Sequence, residues 1–86
     1  MKKNGFTQDK AVDSSMIKSL AYHEDDQTLL VNFRTGKQYY FGNVPKYVYK
    51  ELLAANARDG ASVGKLFISM VRSEPTRIGR IVNSEF

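Results

Sequence analysis

His23 is the chain's only histidine, and it stands in the run His23-Glu24-Asp25-Asp26, so any imidazole general base must be this residue. Asp13, Ser14 and Ser15 precede it and complete a Ser-His-Asp set on paper. A strand-to-helix nucleophile turn of the GxSxG kind is missing, and any surface loop offers the same residue types. As metal ligands the four adjacent residues also fail. Side chains on consecutive turn positions do not all converge, and the EF-hand spacing with its late Glu is missing. These residues support a solvated hairpin tip, with no catalytic residue and no metal expected.

A second candidate is Gly60-Ala61-Ser62-Val63-Gly64-Lys65, where N–H groups near Ser62 and the Lys65 ammonium one turn on would suit a phosphate. Neither GxxxxGK[ST] nor GxGxxG occurs, and Ser62 as an ordinary N-cap with Gly64 as a packing residue explains the run equally. No cofactor is expected.

The third candidate is electrostatic. Residues 1–33 hold 4 basic and 5 acidic groups, 34–65 hold 6 and 2, and 66–86 hold 3 and 2, so the net +4 arises in the middle third. There Arg34, Lys37, Lys46, Lys50, Arg58 and Lys65 are interleaved with Tyr39, Tyr40, Phe41, Tyr47 and Tyr49. Single-stranded nucleic acid needs cations for its phosphates and aromatic faces for its bases. The plainer reading makes the lysines solvated edges, the inner aromatics core, and the net charge a solubility device.

The elements that must position these groups follow from periodicity. Residues 1–12 hold one large apolar group, Phe6, and are expected as a mobile tail. MIKSLAY (16–22) reads as a strand ending at the polar cluster 23–27. TLLVNFR alternates, with Leu29, Val31 and Phe33 on one face. Thr35-Gly36 turns the chain into QYYF, where Tyr39 and Phe41 share a face and Tyr40 opposes them.

Val44-Pro45 ends the strand region and suits the start of a helix. Val48, Tyr49, Leu52 and Ala55 then recur as one stripe, stopped at Asp59-Gly60. Val63, Leu66, Phe67, Met70 and Val71 predict a second short helix from near Ser62 to before Pro75. Residues 78–82 read either as a last strand or as an arm, since Gly79 interrupts them.

Eighty-six residues, 42% of them hydrophobic, make one small domain over 13–86 whose core is modest. Without cysteine, disulfides, thiolate zinc sites and Cys nucleophiles are excluded, and a reducing, cytoplasmic location is expected. No run approaches the roughly 18 apolar residues of a membrane span, and MKKNGFTQDK lacks the apolar centre of a signal peptide.

Taken in order, VDSSMIKSLAY, TLLVNF, TGKQYYFGNVPKYVYKELLAA and SVGKLFISMVR resemble the KTSC domain over roughly residues 12–72. This is a small module at the C-terminus of some lysyl-tRNA synthetases and in stand-alone bacterial and phage proteins. Its Tyr-x-Tyr and Val-Pro motif falls on Tyr39, Phe41, Val44 and Pro45, and its later motif on Ser62, Gly64, Lys65, Phe67 and Arg72. Phe41 stands where the family has a second Tyr, which removes one hydroxyl but keeps the ring. Ile68 stands where the family often has Asn, so no polar contact carries over.

The resemblance implies a compact α+β domain suspected of binding RNA, with no tRNA-charging body in this chain. The expected fold is a three-stranded antiparallel meander covered on one face by the helix from Pro45, with a second short helix. The expected function is a non-enzymatic binding module whose contact set is Arg34, Lys37, Tyr40, Lys50, Lys65 and Arg72. Tyr40 is preferred for stacking because Tyr39 and Phe41 are assigned to the core. The alternative is a protein-interaction module that docks a partner chain, or a second copy, through a strand edge or a helix face.

Overall fold

TLLVNF forms a strand because its β-branched and aromatic residues fit a pleated surface, and both of its faces bury apolar groups. The computed structural model describes residues 5–59, 61–77 and 79–81. In it the strands β1 (Lys10–Ala11), β2 (Ile17–His23), β3 (Thr28–Phe33), β4 (Gln38–Phe41) and β5 (Gly79–Ile81) form one antiparallel sheet in chain order. The helices are α1 (Lys46–Arg58) and α2 (Ala61–Phe67), and a π-helical turn over Ile68–Arg72 continues α2.

The α+β class and the central β2-β3-β4 meander agree with the sequence reading, and the sheet is wider by one short strand at each edge. The expected tail is the main difference. Lys10 pairs with Leu20 and Ala11 with Ser19, the Thr7 amide donates to the Tyr22 carbonyl, and Val12 is buried. Strand addition draws on backbone hydrogen bonds, so a stretch with few apolar side chains can still join a sheet edge. Residues 1–4 lie outside the described residues.

Register explains which side chains reach the core. Ile17 pairs with Phe33 but Ser19 with Asn32, so Lys18 is the extra residue of a bulge. The bulge resets the alternation and brings Ile17, Leu20 and Tyr22 into one cluster with Leu29, Val31 and Phe41. The α1 stripe Val48, Tyr49, Leu52 and Ala55 packs into this cluster, as do Val63, Phe67 and Val71 at four-residue spacing. Burying Leu52 completely is worth about 1.5–3 kcal/mol. Ala21 and Leu30, on the other sheet face, are also fully buried.

Pro45 occupies the N-cap position with an extended ψ of 153°, one residue earlier than the N1 position its ring suits best. Its neighbour locks the helix start to the hairpin. The Val44 amide donates to the Gln27 carbonyl, and the Val44 carbonyl accepts the Tyr22 hydroxyl. Asp59 caps the other end of α1 through its amide on the Ala55 carbonyl.

Candidate functional site

The floor of the candidate site is aromatic and is set by strand register. Val31 pairs with Tyr39 and Leu29 with Phe41, which puts both β4 rings on the helix-bearing face. Tyr39 stacks on Phe41 with centroids 6.2 Å apart, and Phe33 meets Tyr39 edge-on at 5.5 Å. Phe67 of α2 lies beneath, edge-on to both Phe33 and Phe41. Phe41 is buried, whereas Phe33 and Tyr39 stay half-exposed.

The opposite wall comes from the end of the π-helical turn and the connection to β5. The Ser73 amide reaches back to the Ile68 carbonyl, which closes the wide turn, buries Val71 and leaves Arg72 exposed. Beyond it, Glu74, Pro75 and Arg77 face the aromatic floor across a groove of about 580 Å³, within the range of ligand sites. Arg77 ties this wall down: its Nε donates to the Asn43 carbonyl and its Nη1 to the Met70 carbonyl. Glu74 is oriented by Thr76, whose hydroxyl donates to Oε1 at 3.2 Å.

Two cations remain at the rim. Lys37 and Arg72 both line the groove, both are exposed, and neither side chain has a hydrogen bond or ion pair among the described residues. Counting Arg77 and Glu74, the groove carries a net charge of +2, three cations against one carboxylate.

The structure therefore unites only part of the sequence-derived contact set. Lys37 and Arg72, some 35 positions apart, meet at the groove. Arg34 is committed elsewhere, with Nε donating to the Ser14 carbonyl and Nη2 to the Val12 carbonyl, so it fastens the β3 end to the segment before β2. Tyr40 pairs with Leu30 and projects to the other sheet face, away from the groove. Lys50 lies on α1 near the hairpin tip. There the Lys46 ammonium, bonded to Glu24 at 2.9 Å, holds the Glu24 carboxyl below its ordinary value, and the Lys50 charge adds to this. Lys65 is exposed on α2 and does not line the groove.

By alternation Tyr39 reads as core alone, and Phe33, Glu74 and Arg77 are groove residues outside the expected contact set. Thr35 and Lys37 flanking a turn just before Tyr39 were the available signal for one wall. Nothing in PTRIGR announced the other.

The motif residues Ser62 and Gly64 do not line the groove. Gly64 packs against the segment before β2, where a Cβ would stand at ordinary contact distance, 3.4 Å from Ser14 Oγ and 3.5 Å from Met16 Cε. Ser62 is not the expected N-cap, because its hydroxyl donates back to the Asp59 carbonyl. Gly60 lies outside the described residues. Nor does a Ser-His pair form. Ser14 accepts the Met16 and Ile17 amides before the start of β2, and His23 lies at its far end, roughly 20 Å away at the rise of a strand. His23, the last residue of β2, is half-buried under Phe6, with ring centroids 5.1 Å apart, while Glu24, Asp25, Asp26 and Gln27 of the hairpin tip are exposed. Among the described residues there is no metal-ligating cluster and no helix long and apolar enough to cross a membrane.

With this geometry in place, the family model of the KTSC domain matches residues 13–60, more than half of the chain. Among solved structures, a KTSC domain protein from Yersinia pestis aligns with a TM-score of 0.71 and 24% identity, covering 88% of this chain and 97% of that one. At that identity the likeness is one of fold. No curated protein matches the chain.

Proposed function

This chain belongs to the KTSC domain family, and from that premise we propose that it is a small non-enzymatic binding module whose ligand is single-stranded RNA. One observation carries the reading: Lys37 and Arg72, both without partners among the described residues, flank a groove whose floor exposes Tyr39. Unpaired cations are the groups that neutralise phosphates, and an accessible ring gives any base a stacking surface. The half-exposed Phe33 extends that surface.

The test is fluorescence anisotropy of a labelled single-stranded RNA oligonucleotide against a series of salt concentrations. Two phosphate contacts predict a log–log salt slope of about −1.4, at roughly −0.7 per contact for single strands. Absence of binding at low salt overturns the reading. Binding that is indifferent to salt also overturns it and points to apolar docking of a protein partner.

A further inference from the structure

Among the described residues, the carboxylate of Glu74 is the one anionic group lining a groove that also holds Lys37, Arg72 and Arg77, and it shares that groove with Tyr39. Oε1 accepts the Thr76 hydroxyl at 3.2 Å and its amide at 3.5 Å, which fixes the orientation of the group. Among the described residues Oε2 has only the ion pair with Arg77 Nη1, at 4.0 Å and beyond hydrogen-bond reach, and that Nη1 already donates to the Met70 carbonyl. Acceptor capacity is therefore left over on a side chain that a phosphate-binding groove would not need.

A carboxylate accepts and does not donate. Among the four bases, guanine alone presents two adjacent donors on its Watson–Crick edge, N1–H and the N2 amino group. Adenine and cytosine set a ring acceptor beside their amino group, which a carboxylate repels, and uracil flanks its single N–H with two carbonyls. A base stacked on Tyr39 turns an edge outward, and single-stranded recognition reads such edges.

We propose that Glu74 is a specificity-determining residue that selects guanine at the base position over Tyr39, by accepting from N1–H and the N2 amino group. This inference rests on the RNA reading above. It assigns Lys37 and Arg72 to sequence-independent phosphate contact and Glu74 to discrimination.

The experiment compares the full chain with three oligonucleotides that are identical except at one central position, guanosine, inosine or uridine, in a uridine background at low salt. Inosine keeps N1–H and loses only the N2 amino group, so the wild-type protein itself supplies the test. The guanosine oligonucleotide should bind about 10-fold tighter than the uridine one, in line with a good bidentate base contact, and inosine should lose most of that gain. In Glu74→Gln the three affinities should converge while the protein still binds. Equal affinities in the wild type overturn the role of Glu74 and leave the RNA reading standing. A guanosine preference that survives in Glu74→Gln does the same. No binding to any oligonucleotide overturns both.

Discussion

Gly79 of β5 lies directly against the ring of Phe41: a methyl group at its Cα would stand 2.9 Å from Phe41 Cζ and closer still to Cε1. Real Cβ atoms do not approach a ring carbon so closely, so the last strand can close over the groove floor only because this residue has no side chain. Gly79 pairs with Phe41 in the sheet, and Phe41 in turn supports Tyr39 and Phe67. The glycine that interrupts the C-terminal strand pattern is thus what allows that strand to form.

Gly79→Ala should therefore destabilise the protein by about 1–3 kcal/mol, the usual cost of overpacking, and should shift the Phe41 and Tyr39 resonances. Urea unfolding and a two-dimensional NMR spectrum check this. An unchanged midpoint would show that β5 can lift off the ring without cost.

Lys37→Ala and Arg72→Ala should each make the salt slope of RNA binding shallower by about 0.7 and weaken all sequences alike. Both side chains are exposed, so thermal stability should stay within about 0.5 kcal/mol of the parent. Paired unfolding and salt-titration measurements separate the two effects.

Tyr39→Leu and Tyr40→Leu should part company. Loss of a stacking ring costs about 1–3 kcal/mol of RNA affinity, so Tyr39→Leu should bind roughly 5-fold to 150-fold more weakly. Tyr40→Leu should bind like the parent, because its side chain belongs to the opposite sheet face.

These two tyrosines also mark the limit of what the sequence conveys. Alternation correctly separated Tyr39 from Tyr40, and the apolar stripe from Val48 to Ala55 correctly set the buried face of α1. Both are local periodicities within one element. The choice of ligand face was not local. Tyr39 reads as a core residue among Leu29, Val31 and Phe33 until the segment Arg72–Arg77 is placed across from it, and that placement depends on the π-helical turn and on β5. β1 was equally hidden, since two exposed residues joined by backbone pairing leave no apolar pattern.

Tyr22 gives a prediction in pH. Burial, with the Glu24 charge second, raises the pKa of its hydroxyl, which donates to the Val44 carbonyl. A group whose folded pKa is raised contributes stability that is fully present below its unfolded pKa of about 10 and is lost as pH rises through the folded value. Stability should thus decline from about pH 10 upward. Tyr22→Phe should cost about 1–3 kcal/mol at neutral pH, because the Val44 carbonyl loses its donor, and should flatten the alkaline decline. Urea unfolding at a series of pH values measures both.

RNA bound in the groove between Tyr39 and the Arg72–Arg77 wall should show itself in an NMR titration of labelled protein with single-stranded RNA at low and then higher salt. Perturbations should concentrate at Lys37, Tyr39, Arg72 and Glu74 and fade as salt rises. No perturbation, or a set centred on Tyr40 and the opposite sheet face, would rule out RNA binding in this groove.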